Sequence, residues 1–119
     1  MVFGVYRRRT VCGYIILKLY RKGETLSGDL IDLRVLDHDE ALIRSLLQTA
    51  QTFFKWAQVE QICTWIVKNH FYYDLFTSLG FTETDPEIHF GLKPIHNRIP
   101  ESVFQPDHWQ ITMADSDVF

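Results

Sequence analysis

The chain has 119 residues, 46% of them hydrophobic and 14% aromatic, and a net charge of −3. That composition describes one small domain with a real core and excludes a disordered polymer. The acidic balance, with Arg7-Arg8-Arg9 as the only dense basic run, excludes a broad nucleic-acid surface, and no apolar run reaches bilayer length, so neither nucleic acid nor membrane is expected as a partner. Arg7 to Arg9 also interrupts the first apolar stretch, no signal peptide is read, and a cytoplasmic protein is expected. Cys12 and Cys63 lie in apolar strand-like segments and read as small buried thiols in a reducing compartment.

In chain order, Val2 to Tyr6 and Val11 to Tyr20 are rich in β-branched and aromatic residues and read as a hairpin with a solvated tip at Arg7 to Arg9. Gly13 marks a bulge. After a turn-like break at Arg21 to Thr25, Gly28 to Leu36 is a strand with Ile31, Leu33 and Val35 on one face and Leu30, Asp32, Arg34 and Leu36 on the other. From Asp39 to Gln58 the period becomes helical, with Leu42, Ile43, Leu46, Leu47, Ala50, Phe53, Phe54 and Ala57 on one side, and Asp37 with Glu40 fits a capping box. Gln61 to Val67 is a strand. A helix from His70 to Leu79 follows, capped by Asn69, closed by Gly80 and carrying Tyr72, Leu75, Phe76 and Leu79 as its apolar stripe. Glu87 to Lys93 alternates as a strand, residues 94 to 108 form a long proline-bearing loop, Trp109 to Met113 is a last short strand, and Ala114 to Asp117 is a polar end. The order is βββαβαββ, an α/β (α+β) chain whose central strand–helix–strand implies a parallel pair within a mixed sheet.

Asn69, Tyr72, Phe76, Gly80 and Phe81 resemble the last helix of the GNAT N-acyltransferase superfamily, and the element order is that of the GNAT fold from its second strand onward. The resemblance implies a single truncated GNAT-like domain over residues 1–119, a mixed sheet flanked by helices, lacking the family's first strand and first two helices. It also implies acetyl-CoA as cofactor, a small-molecule amine as substrate, and cofactor contacts from Leu33, Val35, His38, Ala41, Arg44 and Asn69. Phe76 stands where the family often has a tyrosine acid, leaving the nearby hydroxyls of Tyr72 and Tyr73 as substitutes, with Tyr72 taken as the candidate. The family's pyrophosphate loop, Arg/Gln-x-x-Gly-x-Gly/Ala, falls on His38-Asp39-Glu40-Ala41-Leu42-Ile43-Arg44, with Asp39, Ala41 and Ile43 near the glycine positions. Asp37, Asp39 and Glu40 would repel a diphosphate by about 3 kcal/mol each at 5–6 Å and an effective dielectric near 20. Weak or absent acetyl-CoA binding and no detectable acetylation by this chain alone are therefore expected. The same acids also read as caps that complement the helix dipole.

Asp32 and Arg34, two apart on one strand face, are the best remaining polar pair, either a base and an anion holder for an acyl acceptor or a cross-strand ion pair. His38, His70, His89, His96 and His108 lack metal-ligand spacing, so no metal is expected, and there is no Gly-x-Ser-x-Gly elbow or P-loop. Two functions follow: an acyl-CoA-dependent N-acetyltransferase with weak or lost activity, and a non-catalytic GNAT-fold module for docking, ligand binding or support of a neighbouring domain. A sheet edge near Val2 to Tyr6 left uncovered implies a homodimer or docking to another domain.

Overall fold

The computed structural model describes residues 1–68, 70–84, 100–105 and 109–115. The chain divides into two compact units, Met1–Trp65 with Thr112–Phe119, and Ile66–Ile111. In the first, β1 (Val2–Arg7), β2 (Thr10–Lys22) and β3 (Thr25–Val35) form an antiparallel meander; α1 (Glu40–Trp56) follows, and β4 (Gln61–Thr64) pairs parallel with β3. The sheet order is β1-β2-β3-β4. Arg8 and Arg9 both adopt positive φ, 47° and 73°, and make the two-residue turn whose twist suits a hairpin; their side chains are exposed, as expected.

Two bulges shape the sheet. Val5 pairs with Gly13 and Tyr6 with Val11, so Cys12 is the extra residue on β2, next to the glycine that suggested it. Gly13 has its own reason to lack a side chain, since a Cβ there would lie 2.7 Å from Arg34 O. The second bulge was not legible: Ile16 pairs with Asp32 and Leu17 with Leu30, leaving Ile31 as the extra residue of β3. Residues directly opposite each other share a face. Leu30 therefore joins Leu33, Ile15 and Leu17 in the core, each 3% exposed or less. The expected placement of Leu30 with Asp32 is corrected, because the extra residue resets the alternation.

Helix α1 buries Ile43, Leu46, Leu47, Ala50 and Phe54, the stripe its period specified. It covers the sheet face bearing Ile15, Leu17, Leu30 and Leu33: the Phe53 ring meets Phe3 at 5.7 Å, and Phe54 lies over Gly28. The parallel ladder joins Ser27–Leu30 to Gln61–Thr64, and β3 runs on to Val35 beyond its end. The expected strand Gln61 to Val67 thus stops at Thr64.

In the second unit α2 spans Phe71–Ser78, and its cap is His70, whose Nδ1 accepts the Tyr72 N–H at 3.2 Å. That replaces the expected cap at Asn69, which lies outside the described residues. The C-terminus is as expected: Gly80 takes φ 91°, Phe81 N–H returns to Phe76 O, Gly80 N–H returns to Thr77 O, and the Phe76 and Phe81 rings pack edge-on at 5.0 Å. This is the left-handed closure with its usual apolar clasp. Phe76 is buried, at 4% exposure.

Trp109 to Met113 is not a strand. Asp115 accepts the Thr112 N–H at 2.8 Å and bends Met113–Asp115 into a 3-10 turn that packs on β3 within the first unit, a local side-chain bond prevailing over apolar alternation. Glu101–Phe104 forms another 3-10 turn inside the expected loop, and the expected strand Glu87 to Lys93 lies outside the described residues. The result is an α+β fold with a mixed sheet and two helices. Among the described residues no helix is long and apolar enough to cross a membrane.

Candidate functional site

Opposite the α1 face, β2 directs Tyr14, Ile16, Lys18 and Tyr20 to the other side of the sheet. Across from them stand Arg34, Asp32, Asp29 and Ser27 of β3, and Cys63 of β4 lies beside Asp29. Asp29 and Asp32 are three residues apart and would face opposite ways in a regular strand; the bulge at Ile31 brings both carboxylates to one face. Both are buried, at 3% and 6% exposure.

Among the described residues Asp32 is hydrogen-bonded through one oxygen only. Tyr14 donates its hydroxyl to Oδ2 at 2.7 Å, while Oδ1 is fully buried and has no hydrogen bond among the described residues. Arg34 Nε approaches Oδ1 at 3.6 Å, an ion-pair distance beyond hydrogen-bond range, with the guanidinium half in solvent. The bond to Asp32, together with burial, raises the Tyr14 pKa above its ordinary value, so the phenol stays a donor. Asp32 and Arg34 pair along β3 itself, where a cross-strand ion pair was expected as the structural reading, and the second oxygen of Asp32 retains acceptor capacity.

Burial pushes the Asp29 carboxyl above its usual pKa, against the opposing pull of Tyr20 and Lys18, and burial beside Asp29 likewise raises the Cys63 thiol. Cys63 is half-buried and Cys12 buried; both are free thiols. A carboxyl raised in the folded state favours folding below its unfolded pKa and loses that contribution as pH rises through the folded value. Asp29→Asn therefore gains stability relative to the parent at pH 7, and the gain shrinks as pH falls toward the ordinary value of 3.8. Urea denaturation of both chains across that range checks it.

At the start of α1, Leu36–His38 forms a turn in which Asp37 and His38 adopt φ of 54° and 52°. This turn delivers Asp39, not Asp37, to the cap: its Oδ1 accepts Ala41 N–H at 3.0 Å and Leu42 N–H at 3.2 Å. Arg7 of β1 reaches its Oδ2 at 3.4 Å. Glu40 turns away to bind Arg44, Nε to Oε1 at 2.8 Å, so the expected Asp37–Glu40 capping box is replaced. Ile43, expected near a glycine position of the loop, is fully buried in the core. His38, Ala41 and Arg44 are exposed around this turn. The free amides of a helix start are what an anion uses, and here a carboxylate already occupies two of them. These residues do not fit a diphosphate.

Of the other sequence candidates, Leu33 faces the core and Val35, half-buried, stands opposite Gly13 at the end of β3. Tyr72 belongs to the second unit, where it is buried with its ring edge-on to His70 at 4.8 Å. Asn69 lies outside the described residues. Sequence reasoning passed over Tyr14, Asp29, Lys18 and Tyr20. The signal was the second face of β2, where Tyr14, Lys18 and Tyr20 alternate against Ile15, Leu17 and Leu19.

No protein-family model and no curated protein matches the chain. Solved structures do. An aminoglycoside acetyltransferase, meta-AAC0020, from an uncultured soil metagenomic sample, in complex with trehalose, aligns with TM-score 0.64 at 17% identity, covering 78% of this chain and 64% of that one. A tetramutant of the BH1408 protein of Bacillus halodurans aligns with TM-score 0.63 at 15% identity over 76% of this chain and 65% of that one. An integron cassette protein, HFX_CASS3, from the mobile metagenome of Cole Harbour Salt Marsh aligns with TM-score 0.57 at 20% identity, over 78% and 60%. The chain thus spans less than two thirds of each of these proteins. At such identities the likeness is one of fold. With its meander, its long helix following β3 and its parallel β4, the chain has a GNAT-like fold.

Proposed function

We propose that this chain is an N-acyltransferase-type module of weak activity, which keeps a carboxylate centre for an amine and has lost most of its hold on acetyl-CoA. The observation that carries the reading is the one-sided Asp32, a buried carboxylate whose Oδ2 is fixed by Tyr14 and whose Oδ1 makes no hydrogen bond among the described residues. An amine attacks a thioester only as its free base and must shed a proton as the new bond forms; a carboxylate with an unused acceptor oxygen is a group suited to take it. Asp32 sits on β3 just past the end of the parallel ladder, on the strand that leads directly into the start of α1. The neighbouring acetyltransferase supports the reaction class, and the Asp39 cap accounts for the weak grip.

The test uses an Asp39→Gly background with acetyl-CoA at about 1 mM and a primary alkylamine, following release of the CoA thiol. Turnover is expected, and adding Asp32→Asn should lower it by about 10²-fold or more while far-UV dichroism stays the same. No thiol release from Asp39→Gly, or release that Asp32→Asn leaves untouched, overturns the proposal and favours a non-catalytic module.

A further inference from the structure

We propose that β1 is a self-association edge, joining two copies of this chain into one continuous sheet through antiparallel β1–β1 pairing centred on Gly4. Among the described residues β1 pairs with β2 alone. Its backbone phase is fixed at both ends. Met1 and Leu17 exchange both bonds, with the Met1 nitrogen donating to Leu17 O at 2.7 Å and Leu17 N–H to Met1 O at 2.8 Å. The two-residue turn at Arg8 and Arg9 makes Arg7 and Thr10 a bonded pair at the other end. Antiparallel pairs alternate, so Met1, Phe3, Val5 and Arg7 bond inward to β2 while Val2, Gly4 and Tyr6 direct their N–H and C=O groups off the edge.

That outward set is its own complement. Reversing the strand about Gly4 sets Gly4 against Gly4, Val2 against Tyr6 and Tyr6 against Val2, so every outward N–H meets an outward C=O. The side-chain pairs that result are β-branched against aromatic, a favourable class, and Met1 to Tyr6 holds no charged side chain or proline of the kind that guards a free edge. Val2 and Tyr6 are exposed, at 62% and 66%.

The two-fold axis of such a pair is perpendicular to the sheet, so both α1 helices lie on the same face of the joined sheet and confront each other across the edge. What each presents there is an uncharged groove of about 560 Å³ whose aromatic walls are Phe3, Phe53 and Trp56 and whose remaining lining is Ser, Thr and Gln of α1. Trp56 is 78% exposed and stacks obliquely near Phe53 at 6.3 Å. Backbone pairing and aromatic burial therefore fall in one continuous surface, as an isologous contact requires.

Sedimentation of the full chain should show a dimer. Val2→Lys with Tyr6→Lys should weaken association at least tenfold without changing the far-UV spectrum, because like charges then stand directly opposite each other at both outer pairs across the axis. Gly4→Cys places two thiols across that axis and should form a covalent dimer under mild oxidation, which the parent, carrying only Cys12 and Cys63, does not. If the lysine variant fails to fold, the Gly4→Cys cross-link decides. A parent that stays monomeric at about 0.5 mM, a dimer that survives the folded lysine variant, or a Gly4→Cys chain that does not cross-link overturns the proposal.

Discussion

Asp39→Gly should bind acetyl-CoA about 10- to 100-fold more tightly than the parent chain, whose own affinity is expected to be no better than about millimolar. Asp39 acts against a diphosphate in two ways: it carries a negative charge at the place of approach, and it already accepts the Ala41 and Leu42 N–H groups. At about 5–6 Å and an effective dielectric near 20 the charge alone is worth about 3 kcal/mol, and screening at physiological salt removes part of that. Glycine also releases Arg7, now 3.4 Å from the carboxylate, as a cation for the phosphates. The loss of the cap to glycine costs only a few tenths of a kcal/mol, so the variant remains folded. Asp39→Asn separates the two effects, since it removes the charge but keeps an oxygen on the amides. Calorimetry should rank Gly above Asn above the parent, with the gap between Asn and parent closing as salt is raised. Micromolar binding by the parent, or an unchanged affinity in Asp39→Gly, would sink the account.

What could be read from the sequence was what short-range periodicity determines. The stripe from Leu42 to Phe54 specified α1, and Gly80 followed by Phe81 specified how α2 ends. The hairpin tip at Arg8 and Arg9 and the core position of Phe76 came from the same kind of signal. The site was less legible because it depends on backbone irregularities. The residue Ile31 inserts into β3 looks like any other strand residue, yet it decides that Asp29 and Asp32 share a face. The positive φ of Asp37 and His38 moves the cap by two residues, from an acid that pairs plausibly with Glu40 to the one that meets the amides. Tyr14 became relevant only once the register set it beside Asp32. At Trp109 to Met113 the alternation was genuine but weaker than the bond between Thr112 and Asp115.

Phe54→Ala should cost about 3–5 kcal/mol, a large part of the whole stability of a domain this size, and read as a lower midpoint in urea with unchanged slope. Phe54 is 2% exposed and among the largest fully buried side chains, with its ring laid over Gly28. The contact is tight enough to dictate the glycine: a Cβ at position 28 would stand 2.4 Å from Phe54 Cε1 and 2.7 Å from Cδ1. Gly28→Ala alone should therefore destabilise by about 1–3 kcal/mol through overpacking. Combining the two tests the geometry more sharply than either alone, because removing the ring opens the space that the new methyl needs. The double variant should be more stable than the sum of the single losses predicts, with a coupling of about 0.5–3 kcal/mol. Strictly additive losses would mean that the ring does not rest on Gly28 and that α1 is seated differently on the sheet.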